Sequence, residues 1–171
     1  MSREPERPEA HTRHVRQLAL VLLCVSSVHP APVYLVHGHL TDLGWRGRLV
    51  SEPRHEARTP RAALVALLRG PTAAERAHGI RSALPSGTRL VSLRVARRTA
   101  TVDLAGGSRR AWLAGGFYAT AQVVYTLTAR PGIERVSMRV GGRRCCVFDH
   151  SGRPYARLLT RAVFAGWQGA P

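Results

Sequence analysis

Two adjacent cysteines near a histidine are the first residues in this chain that could do covalent chemistry. Cys145 and Cys146 precede His150, and a thiol beside an imidazole is the usual arrangement of a nucleophile and its base. Neighbouring residues of a strand point to opposite faces, however, so at most one thiol would meet a given base. No oxyanion-binding element accompanies the pair. We therefore interpret both cysteines as small apolar side chains, with a vicinal disulfide outside the cell as the alternative.

Histidines early in the sequence could bind a metal ion. His37 and His39 lie two residues apart, so in a strand they would face the same side, and Asp42 and His55 follow. No third ligand has a fixed spacing, and no Cys/His pattern is typical of zinc. We therefore expect solvated loop histidines, and we predict no metal and no cofactor.

The acidic residues do not form a recognisable acid–base pair. Glu75, Asp103 and Asp149 are widely separated in the sequence. Gly106-Gly107 precedes Ser108 at the start of a predicted helix, which mildly favours anions, but the lysine of a phosphate-binding loop is missing. Because no catalytic group is assigned, the sequence predicts a protein that is not an enzyme.

One polar residue is predicted to have a structural role. Gln122 lies in the middle of the longest predicted helix, between Ala121 and Val123. A side-chain amide has both donors and an acceptor, so it can bond to main-chain groups. We predict that Gln122 ties this helix to the backbone of a neighbouring loop.

The chain is strongly basic, with 26 Lys+Arg against 10 Asp+Glu and a formal net charge of +16. It contains no lysine and no asparagine, so all the strong positive charge is arginine. Arginine has GC-rich codons, and a GC-rich genome accounts for much of this bias. The alternative is attraction to anionic lipid, cell-wall polymer or nucleic acid. Nucleic acid is the less favoured partner, because the motifs and stacking aromatics of its binding proteins are missing.

The N-terminal part has the pattern of a targeting segment. Residues 1–17 are polar and are predicted to be disordered, and an apolar run follows from Leu18 to Val28. The run is too short to span a membrane and fits the hydrophobic region of a signal peptide. Cys24 would suit a lipid anchor, but Leu23 stands where lipoprotein processing needs a small residue, so we predict no lipidation there. A buried N-terminal strand or helix is the alternative.

The elements that follow indicate one folded domain. We divide the chain into residues 1–32, a basic lead plus signal peptide or membrane anchor, and residues 33–171, a domain with a C-terminal extension. The predicted elements are a strand at 33–36, a loop at 37–59 with a short strand near 48–50, a helix from Thr59-Pro60, a short helix with a Thr72/Glu75 capping box, strands at 89–95 and 99–104, a helix at 108–129, a strand at 133–140 and a further segment at 144–148.

This order predicts an α+β fold. It reads strand, helix, strand, strand, helix, strand, which suits a two-layer sandwich with helices on one face of a small mixed sheet. Alternation of apolar and polar residues places Val91, Leu93 and Val95 on the buried face of the first hairpin strand. The helical spacing of Leu64, Leu67 and Val124 places them in the core.

Several blocks of this sequence resemble the GerMN family, which is named after a spore-germination protein. The blocks are Ala63–Glu75 with its Leu-rich helix and Gly-Pro-Thr, the turn Leu84–Leu90, the strand Ala100–Leu104 (Ala-Thr-Val-Asp-Leu), the helix Ala121–Thr128 (Ala-Gln-Val-Val-Tyr-Thr-Leu-Thr), the strand and turn Val136–Gly142, and the closing Leu159-Thr160-Arg161. The resemblance covers 33–164, one domain's worth of chain. It is weakest over the first strand and the His-rich segment.

The resemblance implies a non-enzymatic, extracytoplasmic interaction domain of the bacterial envelope, linked to sporulation, germination or envelope assembly. It implies a location at the cell membrane or in the secreted fraction, partners among envelope or membrane proteins, and a homo-oligomer as a further candidate. The family has no established catalytic residues, so none is carried over. The alternatives are a basic protein that binds nucleic acid or anionic polymer, and a cysteine hydrolase, for which no orienting triad is present.

Overall fold

The computed structural model describes residues 31–42, 44–144 and 158–164. There the chain forms an α+β fold with two three-stranded sheets, which confirms the predicted class. The elements in chain order are β1 (Pro32–Thr41), β2 (Gly44–Pro53), α1 (Pro60–Arg69), α2 (Ala73–Ala77), β3 (Ile80–Arg81), β4 (Arg89–Ala96), β5 (Thr99–Ala105), α3 (Arg109–Thr128), β6 (Arg135–Val140) and a 3₁₀ helix (Arg161–Phe164). The predictions for residues 1–17, the run at 18–28, Cys24, Cys145, Cys146, residues 147–148, Asp149 and His150 lie outside the described residues.

The first sheet has the strand order β2-β1-β3, with β1 in the centre. β1 and β2 pair antiparallel along their full length, from Pro32 opposite Pro53 to Thr41 opposite Gly44. The predicted loop at 37–59 is therefore wrong over most of its length, and the short strand predicted near 48–50 lies inside β2. Glycine has low strand propensity, but cross-strand pairing decides whether a strand forms.

Two helices follow the first hairpin, and both begin as predicted. The Thr59 side chain accepts a hydrogen bond from the backbone N–H of Ala62 (3.1 Å) and so caps α1. In α2, Thr72 and Glu75 form the predicted capping box. The core face of α1 consists of Ala63, Leu64, Ala66 and Leu67.

The second sheet is mixed and has the order β4-β5-β6. β5 pairs antiparallel with β4 and parallel with β6, and α3 is the crossover that a parallel pair requires. Ala100, Val102 and Leu104 of β5 are buried, as predicted. The sheet is the small mixed sheet expected from the sequence, while the β1–β2 hairpin builds a separate sheet.

The predicted buried face of β4 is wrong in part. Val91 is 50% exposed and Val95 is 44% exposed. The register shifts between Leu90 and Ser92, so Leu90, Leu93 and Val95 stand opposite the three buried residues of β5, and Val95 is exposed although it keeps the predicted alternation. This β-bulge places Val91 outside the alternation, which is the usual effect of one extra residue in a strand.

Helix α3 passes through the centre of the molecule. Every residue from Tyr118 to Leu127 is buried, which is wider than the single apolar face expected from helical spacing. Gly116 has non-helical backbone angles (φ 51°, ψ −140°), so α3 is kinked at this residue into a short first part and a longer second part. The N-terminal turns are capped by Ser108, whose side chain accepts the N–H of Ala111 (3.2 Å).

A C-terminal strap, residues 158–164, packs back on the domain. Leu159 exchanges two backbone hydrogen bonds of 2.8 Å with Val136 of β6, and Phe164 is fully buried. Arg161 lies over the ring of Tyr125 (4.8 Å to the centroid) and donates to its carbonyl oxygen (3.2 Å). The strap thereby closes the end of α3.

Within the described part of the chain, no helix is both long enough and apolar enough to cross a bilayer.

Candidate interaction surfaces

Glu75 is held by an arginine that the sequence did not identify. The guanidinium of Arg54 donates to both carboxylate oxygens at 2.7 Å, and the backbone N–H of Thr72 donates to one of them at 2.7 Å. The side chains of Arg54 and Glu75 are only 11% and 14% exposed. The hydrogen bonds from Arg54 lower the pKa of Glu75. The carboxylate therefore joins the end of β2 to the start of α2.

A second carboxylate lies beside this ion pair. Burial raises the pKa of Glu52, and the neighbouring negative charge of Glu75 raises it further. Neither Glu52 nor Arg54 is identified from the sequence, because both lie in the segment predicted as a loop. Since the oxygens of Glu75 already accept three hydrogen bonds, the arrangement connects elements and does not present a free general base.

Asp103 also forms a structural hydrogen bond with the backbone. Its Oδ1 accepts a hydrogen bond from the N–H of Gly142 (3.0 Å), which fixes the turn after β6. Asp103 and Glu75 lie in different elements, β5 and α2, and the structure joins each to its own partners. Thus Glu75 and Asp103, the two residues considered for acid–base chemistry that the structure describes, both form structural hydrogen bonds.

The candidate metal ligands are distributed along the first hairpin. His37 and His39 lie in β1 and not in a loop, Asp42 lies in the turn, and His55 lies after β2. Among the residues that the structure describes, no group of three or more His, Cys, Asp or Glu side chains is arranged to hold a metal ion.

The glycine pair before α3 has a packing role. A Cβ at Gly106 would overlap the carbonyl oxygen of Gly87, and one at Gly107 would lie 2.5 Å from the side chain of Pro85. The indole N–H of Trp112 donates to the Gly106 carbonyl (2.9 Å). The pair therefore allows the turn at 85–87 to approach the helix start.

Gln122 has the role predicted for it. The N–H of Ala83 donates to its Oε1 (2.7 Å), and its Nε2 donates to the carbonyl of Tyr34 (3.0 Å). One turn later on α3, the Thr126 hydroxyl accepts the N–H of Tyr34 (2.9 Å). The two-residue strand β3 ends before it reaches Tyr34. Gln122 and Thr126 therefore supply the hydrogen-bond partners of Tyr34 at this edge of β1.

Arg130 is a buried cation that the sequence did not identify. It is 3% exposed, and it donates to the carbonyl oxygens of Ala57 (2.7 Å) and Pro32. Burial lowers its pKa. Among the residues that the structure describes, none forms a hydrogen bond with its Nε. Arg130 thus fastens the start of β1 to the loop before α1.

Two exposed features remain as candidate interaction surfaces. The first is the β4 edge, residues 89–96, which ends the second sheet among the described strands and exposes Val91 and Val95. Its exposed arginines, Arg89 and Arg94, flank these apolar side chains. An edge strand with apolar side chains is a suitable surface for protein contacts, and the bulge at Val91 limits simple strand-to-strand pairing.

The second feature is the hairpin arm, residues 37–41 and 44–48. Leu40, opposite Trp45, is 53% exposed. Two glycines stand opposite each other at its base: a Cβ at Gly38 would overlap the carbonyl oxygen of Arg46, and one at Gly47 would overlap that of His37. Glycine in a strand commonly marks such a close approach. The arm was missed in the sequence because these glycines weaken its strand pattern, although the alternation His37-x-His39 and Arg46-x-Arg48 was a usable signal.

The hairpin arm is fastened to α3. The hydroxyl of Tyr118 donates to the carbonyl of Gly47 (2.7 Å), and its ring lies 6.4 Å from that of Trp45. Burial raises the pKa of Tyr118, so the phenol stays a donor at neutral pH. The arm therefore leaves the domain in a defined direction.

Comparison with known proteins identifies relatives over most of the described chain. The family model Germane, described as sporulation and spore germination, matches residues 32–145. No curated protein matches this sequence.

A solved structure shares the fold at low sequence identity. The tandem GerMN domains of the sporulation protein GerM from Bacillus subtilis superpose with a TM-score of 0.52 and 19% identity over 77% of this chain. This chain covers 45% of that tandem structure, which is less than half of its length. The first GerMN domain of the same protein matches with a TM-score of 0.49 and 19% identity, over 77% of this chain and 96% of that one.

Proposed function

The chain belongs to the Germane family, whose members are linked to sporulation and spore germination, and from this premise we propose that it is a non-enzymatic binding domain of the bacterial envelope. It acts on the outer side of the cytoplasmic membrane, at the membrane or in the secreted fraction. Its partners are envelope or membrane proteins, and a second copy of the chain is a further candidate.

One contrast between inner and outer side chains carries this proposal. The polar residues that could have done chemistry, Gln122, Asp103 and Glu75, bond to the chain's own backbone or to Arg54. The exposed Val91 and Val95, in contrast, are apolar side chains at the outer strand of the second sheet. A domain whose polar side chains stabilise its own fold, and whose exposed edge strand carries apolar side chains, is suited to binding other proteins.

The proposed location rests on the sequence before β1. The apolar run from Leu18 to Val28 follows a basic lead, which is the pattern of an export signal. We expect a reporter enzyme that is active only outside the cytoplasm, fused after Pro171, to be active. Leu20→Asp with Leu22→Asp should abolish that activity, because charge blocks insertion of the run. An inactive reporter on the unmodified chain would refute export.

Binding through the β4 edge is tested by photo-crosslinking in intact cells. A photoreactive residue is placed at Val91 or Val95, and in a matched control at the exposed Ser86 of the preceding turn. We expect positions 91 and 95 to capture the same few envelope or membrane proteins, and position 86 to capture fewer. The contacts should survive physiological salt, because apolar contacts are not screened. Identical products at all three positions would contradict a specific surface, and products lost with salt would favour charge-driven binding to an anionic polymer.

A further inference from the structure

One face of the hairpin arm is a cationic ladder. Cross-strand neighbours lie on the same face of a sheet, and the register places His37 opposite Arg48 and His39 opposite Arg46. All four side chains are exposed. Arg46 and Arg48, two residues apart on one strand, stand roughly 7 Å from each other. Neither forms an ion pair within the described residues, so no carboxylate there neutralises either charge by direct contact.

The opposite face of the same arm is apolar. Leu40 and Trp45 are cross-strand partners there, Leu40 mostly exposed and Trp45 partly buried against Tyr118. A strand pair with arginines on one side and an exposed Leu beside a Trp on the other has the composition of membrane-interface segments. In such segments cations meet lipid phosphates while Trp and Leu enter the headgroup boundary.

From this geometry we propose that the hairpin arm is a membrane-contact element that binds anionic phospholipid headgroups through Arg46 and Arg48, with Leu40 and Trp45 entering the interface. The ligand chemistry is a phosphate surface bordered by apolar tails. A soluble polyanion such as nucleic acid or wall polymer offers the phosphates without an apolar layer, and it would leave Leu40 in water. The exposed leucine therefore favours a lipid surface.

The fold gives this contact a direction. The bond from Tyr118 to Gly47 and the close approach at Gly38 and Gly47 fix the arm to α3. Its tip lies roughly 30 Å along β1 from Pro32, nine residues at strand spacing. If the run before β1 reaches the membrane, as the proposed function has it, the arm supplies a second contact, and two contacts this far apart would hold β1 along the bilayer surface.

The test measures binding of the full chain to vesicles. Vesicles of mixed phosphatidylglycerol and phosphatidylcholine are compared with vesicles of phosphatidylcholine alone. The arm variant is Arg46→Gln with Arg48→Gln. The matched control is Arg139→Gln with Arg143→Gln, which removes the same charge from exposed positions in and after β6. We expect the arm variant to bind anionic vesicles roughly ten- to thirtyfold more weakly, and the control to change little.

A second measurement tests whether the hairpin arm itself touches the bilayer. It is informative even if the N-terminal run supplies most of the affinity for vesicles. Brominated phosphatidylglycerol should quench tryptophan fluorescence of the unmodified chain. Trp45→Phe should remove most of that quenching, and Leu40→Ser should reduce it. Circular dichroism must show that every variant is folded.

Three results would overturn the proposal. Equal loss of binding in the arm and control variants would make the attraction a property of net charge alone. Quenching that is unchanged by Trp45→Phe would place the arm outside the bilayer. If polyphosphate displaces the chain from the vesicles and Trp45 is not quenched, the cationic ladder binds a soluble polyanion and not a lipid surface. None of these outcomes depends on export, so the arm and the proposed function are tested separately.

Discussion

Gln122 and Thr126 take the place of a missing strand neighbour. They are four residues apart on α3, so they face the same way, and together they satisfy both the N–H and the carbonyl of Tyr34. A buried main-chain group without a partner costs about 1–3 kcal/mol. The buried polar side chains of this helix are therefore a requirement of the first sheet.

We expect Gln122→Met to lower the free energy of unfolding by about 2–5 kcal/mol, because it leaves Ala83 N–H and one acceptor of Tyr34 unpaired in the core. Hydrogen exchange should show the loss locally, with the Ala83 amide exchanging much faster than its neighbours. Thr126→Ser keeps a hydroxyl and serves as the control. Unchanged protection at Ala83 would contradict the assigned bond.

The Arg54–Glu75 pair makes stability depend on pH. Because Arg54 lowers the pKa of Glu75, the folded chain binds this proton less readily than the unfolded chain. Its stabilisation is fully present above the ordinary glutamate pKa of about 4.3 and is lost as the pH falls through the lower, folded-state pKa. Glu52, whose pKa is raised, acts in the opposite sense: its charge opposes folding at neutral pH, and protonation relieves that effect.

We expect Glu75→Gln to be less stable by about 1–3 kcal/mol at neutral pH, since it loses charge-assisted bonds to Arg54. The difference from the unmodified chain should shrink as the pH falls from the ordinary glutamate pKa through the lowered pKa of folded Glu75, because the carboxyl group is then protonated in both states. Urea melts at several pH values measure it. Glu134→Gln breaks an exposed pair with Arg98 and should change little. A pH-independent difference would show that charge is not the cause.

At the level of elements, α1 is the clearest case in which local sequence determines structure. Its cap, its apolar face and its end at Gly70 all agree, and Leu67 is fully buried. We expect Leu67→Ala to lower the free energy of unfolding by about 2–5 kcal/mol, because it leaves a cavity. Thermal melting checks this. Arg69→Ala, exposed on the same helix, is the control; equal effects would mean that burial is not the reason.

Elements with local signals were predictable, and those that depend on distant partners were not. The capping box, β5 and the limits of α3 follow from nearby residues. The β1–β2 hairpin did not, because its glycines and histidines form a strand only through ten cross-strand pairs. The bulge at Val91 was equally hidden, since a register shift depends on the partner strand.

The candidate surfaces were predictable in the same uneven way. Gln122 was identified because an amide inside an apolar helix needs a partner. The pair of Arg54 with Glu75 and the burial of Arg130 were not, because each joins segments that only the fold brings together. The hairpin arm emerged only once pairing placed four basic residues on one face.

At the scale of the whole molecule, the C-terminal strap packs against the central helix and adds to the core. Phe164 lies 6.1 Å from the ring of Tyr125, beside Arg161, which contacts both Tyr125 and Tyr34. The strap lies beyond the residues matched by the family model, which end at 145. It nevertheless contributes to the same core as β1 and α3.

We expect Phe164→Ala to lower the free energy of unfolding by about 3–5 kcal/mol, comparable to a central core residue. Chemical denaturation should remain a single transition, because the strap shares the main core. Leu158→Ala, at a partly exposed neighbour, should have a small effect. A separate early transition would mean that the strap unfolds independently.

The facing glycines of the hairpin arm have a consequence for how this family can diverge. A side chain at Gly38 or at Gly47 would strike the opposite strand, so either change alone must force the two strands apart. Once they are apart, the second change meets less resistance. Combined Gly38→Ala and Gly47→Ala should therefore cost less than the two single changes added together. Across related sequences the two positions should covary, both glycine where the strands touch and both larger where they have separated.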